Sequence, residues 1–210
     1  MLNLFDDTEL FGSGKPGVRK FDLPDTDLIL NQGFFDKNEA DYYYNFLLNT
    51  TPWREADLTV YNKTHIIPRM VAWYEDKDNF GANPEGNNWS PQLLAIRNKV
   101  EEETGITFNS VLLNLYRNGS DGVGWHSDRK TSAGENAVIA SVSFGETRVF
   151  KMRHKFRKDI PQVEIPLGHG AFLLMAGTTQ NFWQHQIPKT AKPALPRINL
   201  TFRIVKRDTL

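Results

Sequence analysis

Between residues 106 and 206 the chain breaks into six short runs of β-forming residues with no helical period between them. They are "FNSVLLNLYR", "AVIASVSFG", "TRVFKMRHK", "QVEIPLG", "GAFLLMA" and "RINLTFRIV", separated by Gly, Pro and Asn. A parallel sheet would need a crossover helix between successive strands. Six runs without one therefore indicate an antiparallel sandwich or barrel. Helices come earlier. Asp36 and Glu39 form a capping-box start to "KNEADYYYNFLLNT", where Tyr43, Phe46 and Leu47 share a face. Ser90, Pro91 and Gly105 bound a second helix whose Leu93, Ile96 and Val100 repeat on one side. Residues 1–30, with Gly12, Gly14, Pro16, Gly17 and Pro24, read as an arm lying over the domain. The reading is one domain, 1–210, of helices followed by a β core over 106–206.

Composition removes several classes. The chain has no cysteine, which rules out thiol nucleophiles, zinc fingers and iron–sulfur clusters. No apolar run reaches the roughly 18–20 residues of a membrane helix, and the acidic N-terminus is unlike a secretion signal. A cytoplasmic protein is expected, or a nuclear one if the source is eukaryotic, monomeric and without a membrane partner. Acids and bases balance at 25 each, so a nucleic-acid partner would depend on local charge. "RVFKMRHKFRK" supplies it, with bases at 148, 151, 153, 155, 157 and 158 plus His154 and no acid. Such a run can grip phosphates, and it is equally what a charged strand edge looks like.

In "GVGWHSDRK" (122–130), His126 and Asp128 stand two apart, so a strand would point both at one ion. A third ligand must come from His65, His154, His169 or His185. His185 is favoured because "NFWQHQIP" follows the apolar run "GAFLLMAG" and can arrive on a neighbouring strand. Two histidines and a carboxylate suit ferrous iron with open positions, although zinc hydrolases use similar donors. The last run puts Arg197, Asn199, Thr201 and Arg203 on one face and Ile198, Leu200 and Phe202 on the other. Two arginines on a core strand need carboxylates, and a small dicarboxylate would satisfy both; internal salt bridges would do so too. Asn114 and Tyr116 of "LLNLYR" could join them.

"NLYRNGSDGVGWHSD", "IASVSFGETRVFKMRHK", "FLLMAGTTQNFWQH" and "PRINLTFR" resemble, in order, the AlkB family of iron- and 2-oxoglutarate-dependent dioxygenases that repair alkylated nucleic acids. The resemblance implies an α+β protein with a double-stranded β-helix (distorted jelly roll) core, N-terminal helices and a nucleotide-recognition lid over 50–80. It implies that His126, Asp128 and His185 hold Fe(2+), and that Asn114, Tyr116, Arg197, Asn199, Thr201 and Arg203 line the 2-oxoglutarate site. The implied reaction is oxidative demethylation, in which a hydroxylated N-methyl group leaves as formaldehyde and 2-oxoglutarate ends as succinate. The partner would be DNA, with duplex DNA and RNA both open. In a duplex the base must leave the stack, and "LTVYNKTHIIPRMVAWYED" resembles the family's lid, with Val60, Tyr61 and Asn62 as wedge. Arg69 would meet the strand, Trp73 or Tyr74 would border the base pocket, and Arg153, His154 and Lys155 would meet phosphates. His126 could stack on the base, opposite Tyr74 or Phe80.

One departure stands out. The family carries an acid just after its Asp ligand, suited to a cationic methylated base, whereas here Arg129 and Lys130 follow, with Glu135 a few residues on. Lys130→Glu is therefore expected to raise turnover of cationic methyl-bases. Two other classes fit parts of the pattern: an oxygenase of the same fold acting on a protein or small molecule, and a non-catalytic binder of damaged DNA.

Overall fold

The structure, a computed structural model, describes residues 17–60, 63–76, 87–128 and 136–205, with 58–60 and 63–66 described by backbone alone. Two antiparallel sheets make the fold. The larger has eight strands in the order β1-β2-β10-β7-β12-β5-β4-β3, the smaller four in the order β6-β11-β8-β9. In chain order these are β1 (Val18–Phe21), β2 (Asp27–Asn31), β3 (Arg54–Val60), β4 (Lys63–Glu75), β5 (Ser110–Tyr116) and β6 (Val123–His126). They continue with β7 (Ile139–Gly145), β8 (Arg148–His154), β9 (Val163–Leu167), β10 (Ala171–Ala176), β11 (Trp183–Ile187) and β12 (Arg197–Arg203). From β5 onward successive strands cross between the two sheets, apart from the β8–β9 hairpin. That winding is the double-stranded β-helix. The six runs read from sequence are β5, β7, β8, β9, β10 and β12.

Helix α1 (Lys37–Thr50) starts at the expected capping box: Asp36 accepts from the Glu39 amide, and Glu39 accepts from that of Asp36. Its buried stripe is Ala40, Tyr44 and Leu47, a turn of face away from the expected Tyr43, Phe46 and Leu47, with Tyr43 and Phe46 packed at its margin. Helix α2 (Pro91–Thr104) is capped by Ser90 and stopped by Gly105 in the left-handed region. Both helices cover the outer face of the larger sheet. Leu93, Ile96 and Val100 meet Val111, Leu113, Ile198, Leu200 and Phe202 there in one apolar cluster. Each large side chain so buried contributes about 1.5–3 kcal/mol before entropy. A second cluster, including Phe150, Met152, Ile165, Leu173 and Trp183, lies apart from the first.

Residues 18–30 correct the expected arm. They form β1 and β2, and β2 pairs with β10 in the larger sheet. The alternation of Leu28 and Leu30 (buried) with Asp27 and Ile29 is a strand pattern that the surrounding Gly and Pro residues hid. Residues 54–60 and 63–75 form the antiparallel pair β3 and β4, and β4 pairs in turn with β5, so the larger sheet extends beyond the 106–206 core. At Gly145 the chain turns at φ +88°, and an added Cβ would collide with the Pro196 carbonyl and the Tyr44 ring. Glycine is required there to seat α1 against the end of β7.

Candidate metal and co-substrate site

His126 and His185 are direct cross-strand partners on β6 and β11, which brings their ring centroids to 4.3 Å. Asp128 lies two residues beyond the end of β6, so strand alternation alone does not aim it. Its amide donates to Gln180 Oε1 (2.9 Å) and its Oδ1 accepts from Arg203 Nη2 (3.1 Å). One donor atom from each of His126, Asp128 and His185 then falls within 4.8 Å of the others. The His126 Nδ1 sits 2.8 Å from the Gly124 carbonyl. A carbonyl only accepts, so Nδ1 carries the proton and Nε2 is left to bind a metal. Phe150 stacks on His185 at 5.0 Å.

Electrostatics favour a bound cation. Burial pushes His185 down to about 4, against the opposing pull of Asp128, so the ring is neutral at physiological pH. Burial would raise the Asp128 carboxyl, but the Arg203 guanidinium, with Arg69 adding to it, overcomes this and holds the group below its ordinary value. A carboxylate with two imidazoles is a fitting donor set for Fe(II), and three protein donors leave the remaining positions to other ligands.

The triad opens into a cavity of about 530 Å³. Its lining includes all six expected co-substrate residues: Asn114, Tyr116, Arg197, Asn199, Thr201 and Arg203. Arg197 is 1% exposed and bonds Ser143 Oγ at 2.9 Å through Nη2. Its Nε and Nη1 are buried and make no well-formed hydrogen bond among the described residues, as is true of Arg203 Nε, although the Tyr116 ring lies against the Arg197 guanidinium at 5.3 Å. Burial pushes Arg197 down to about 10. A buried cation with two idle donors is costly unless an anion completes it, and a 2-oxoglutarate carboxylate has the matching fork. Asn199 differs: it donates to Ser141 Oγ and the Val142 carbonyl and accepts from Thr201. Asn199 and Thr201 therefore brace the wall with satisfied groups. Asn114 accepts from Arg69 Nε at 2.7 Å.

The expected substrate residues divide. Arg69 lines the cavity beside Asn114 rather than reaching outward to a strand. It sits where β4 bulges: Glu55 pairs with Met70 and Asp57 with Ile66, so Ala56 alone faces Ile67, Pro68 and Arg69. Pro68 has no amide for the ladder, and its carbonyl accepts from Gly122 instead. The bulge turns Ile67, Pro68, Arg69 and, across from them, Asp57 toward the cavity. Trp73 shares that side of β4, with the Arg203 guanidinium 5.4 Å from its ring. Tyr74 does not border the site. One residue on, it faces the helices and is buried in their cluster, which also removes it as a partner opposite His126. Val60 is described by backbone alone; Tyr61, Asn62, Phe80, Arg129, Lys130 and Glu135 lie outside the described residues.

His154 is not on the surface. At 3% exposure its Nε2 meets Asp25 (3.1 Å) and its Nδ1 accepts from the Phe156 and Arg157 amides, because strand alternation on β8 turns it inward. Arg153 stacks over Trp125 at 4.3 Å and bonds Gln184; Lys155 Nζ donates to the Gln180 carbonyl at 2.8 Å. Sequence reasoning missed Gln180, Asp57 and Ser143. Gln180 lies in the four-residue α3 (Thr179–Phe182), too short to announce itself, and Asp57 is aimed by a bulge that no local pattern encodes. Ser143 had a signal: it alternates with Ser141 in "ASVSFG", two hydroxyls on one face of an apolar strand.

The model of the 2OG-Fe(II) oxygenase superfamily matches residues 27–203. The chain is 41% identical over 210 residues to the alpha-ketoglutarate-dependent dioxygenase alkB homolog 3 of Bos taurus, covering 92% of this chain and 72% of that one. It is 37% identical over 182 residues to the DNA oxidative demethylase ALKBH2 of Homo sapiens, covering 80% and 70%. The solved structure of OsALKBH1 superposes with a TM-score of 0.61 over 88% of this chain and 100% of its own, at 15% identity, a likeness of fold. With its iron donors and a buried arginine that keeps two donors unused in one cavity, and with relatives this similar, the chain belongs to the AlkB family of Fe(II)- and 2-oxoglutarate-dependent oxygenases.

Proposed function

We propose that the protein oxidatively demethylates N-alkylated bases in nucleic acid. The observation that carries this reading is the meeting, in one cavity, of an open two-histidine, one-carboxylate triad with a buried arginine that keeps two donors, Nε and Nη1, unused. The names of the relatives, alkB homolog 3 and DNA oxidative demethylase, supply the substrate class. When bound, Fe(II) with dioxygen and 2-oxoglutarate supplies an oxidant able to hydroxylate a methyl group, with succinate and carbon dioxide as by-products.

The rest is work for this chain's own residues. His126, Asp128 and His185 hold the ion, and Arg203 fixes the Asp128 carboxylate so that it cannot rotate away. Arg197, backed by Ser143, takes the far carboxylate of 2-oxoglutarate. Phe150, Met175 and Ile187 give the cavity an apolar wall that limits water near the reacting carbon. The hydroxylated methyl then separates as formaldehyde, with the base nitrogen recovering its lone pair or proton. Asp57, on the cavity rim, has no ion-pair partner among the described residues and offers negative charge to a cationic methyl-base. Val60, Tyr61 and Asn62, together with Trp73, are the residues we assign to holding the strand. The protein acts as a monomer on DNA or RNA, and among the described residues no helix is long and apolar enough to cross a membrane.

The test is formaldehyde release with Fe(II) and 2-oxoglutarate. Substrates are 1-methyladenine and 3-methylcytosine in DNA and RNA, single-stranded and duplex, with His126→Ala as control. Release that disappears in the variant supports the reading. Turnover of 2-oxoglutarate with no nucleic-acid product from any substrate would redirect it to a protein or small molecule.

A further inference from the structure

The basic run 148–158 is dissected by the fold. Arg148 is buried and bonds the Asn118, Asp121 and Pro188 carbonyls. Lys151 pairs with Glu164, Arg153 lies on Trp125, His154 faces inward and Lys155 reaches Gln180. What the run presents to solvent is its tip: Phe156, Arg157 and Lys158. Phe156 is 69% exposed, the most exposed large apolar side chain among the described residues. It is not a loose loop residue. His154, itself held by Asp25, receives the amides of both Phe156 and Arg157 on one ring nitrogen, and the Lys155 amide donates to the Phe182 carbonyl at 2.7 Å. The Phe156 ring meets Phe182 at 6.0 Å, nearly perpendicular, which orients it while most of its surface faces water.

Nothing in the folding of the chain calls for a Phe held outward in this way. Two acids lie nearby: Asp159 pairs with Arg157 at 2.7 Å and Asp25 meets His154 at 3.1 Å, which leaves Lys158 as the cation of the tip with no acidic partner among the described residues. An exposed ring beside Lys158 and the paired Arg157 matches a strand of bases and phosphates better than an apolar protein groove, since stacking accepts any base and an adjacent cation meets the backbone. The tip also adjoins the iron site: Lys155 bonds the carbonyl of Gln180, whose side chain receives the amide of Asp128. The turn, α3 and the ligand loop thus form one hydrogen-bonded rim.

We propose that Phe156, flanked by Arg157 and Lys158, is a stacking platform for a nucleotide neighbouring the target base on a single strand. It rests on the nucleic-acid reading above and adds to it a specific contact. The test is fluorescence anisotropy with 3-methylcytosine single-stranded DNA, using protein loaded with Mn(II) and 2-oxoglutarate to prevent turnover. Phe156→Ala is expected to weaken binding about 10-fold and Phe156→Trp to preserve it. Flanking nucleotides are then made abasic one at a time. At one position the wild-type protein should lose a similar factor, and there Phe156→Ala should cost nothing further. Unchanged affinity in Phe156→Ala overturns the platform while leaving the demethylase reading intact. So does a loss that persists at every abasic position, or a variant that alters self-association and not DNA binding. Wild-type protein that neither binds nor demethylates the oligonucleotide overturns both.

Discussion

Replacing Arg197 with methionine should move ligand-free stability and co-substrate affinity in opposite directions. Arg197 is 1% exposed and its guanidinium is pushed down to about 10 by burial. Both folded and unfolded chains carry the charge at neutral pH, so a depressed value is a cost to folding there, at about 1.36 kcal/mol per pH unit, or roughly 3 kcal/mol. Methionine fills most of the same space without the charge. It loses the bond to Ser143, itself charge-assisted and worth about 1.5–3 kcal/mol, so the variant should gain up to about 1 kcal/mol before packing adjustments. For a chain of this length that is a rise of up to about 2–4 °C in Tm. The two idle donors, Nε and Nη1, are the ones a carboxylate would take, and charge-assisted bonds of this kind contribute about 1.5–3 kcal/mol each. Their removal should weaken 2-oxoglutarate binding by about 100-fold or more. Thermal unfolding with and without 2-oxoglutarate, in the presence of Mn(II), reads both quantities. A variant that melts well below wild type without ligand, yet keeps the full 2-oxoglutarate-induced shift, would refute the reasoning.

Three other outcomes follow from named contacts. Gln180→Ala strips the Asp128 amide of its acceptor and should weaken metal binding about 10-fold, as loss of such supporting groups does elsewhere; titration with Co(II), followed by visible absorption, would count against this if affinity were unchanged. Asp57→Asn should reduce kcat/KM on cationic 3-methylcytosine by about 10-fold more than on neutral 3-methylthymine, given attraction across a partly shielded rim, and equal losses on both would remove Asp57 from substrate selection. His169 is fully buried; its Nδ1 accepts from the Gly145 amide and its Nε2 faces Asp41. Burial lowers its pKa below 6.5 despite Asp41, so its contribution is complete above pH 6.5 and is lost as the pH falls through the lower folded value. Wild-type Tm should therefore drop on acidification below 6.5 more steeply than that of His169→Gln, and parallel curves would show that His169 is not the group responsible.

Much of the site was legible because it rides on strict alternation. In "RINLTFR" three large apolar residues interleave with four polar ones, and each set went to the face its pattern required. His126 and His185 became neighbours once their strands paired. Asp128 obeyed a different rule, since it lies past the strand end and is aimed by Gln180 and Arg203, contacts between residues 52 and 75 positions apart. The basic run misled for a related reason. Charge is visible in sequence, but whether a cation meets solvent depends on which strand face it occupies, and β8 turned Arg148 and His154 inward. Tyr74 misled by one residue: beside Trp73 in sequence, it is on the opposite side of the sheet. Asp57 depends on a bulge set by Pro68, whose consequence appears only when β3 and β4 are paired.

The most direct measurement of the central claim is the ratio of succinate to formaldehyde when the Fe(II)-loaded protein acts on 1-methyladenine DNA. The two should appear in equal amounts, rise well above the level with the unmodified strand, and vanish together in His126→Ala. Succinate formed at the same rate with methylated and unmodified DNA, without formaldehyde, would contradict the claim that this cavity joins 2-oxoglutarate oxidation to the demethylation of a base.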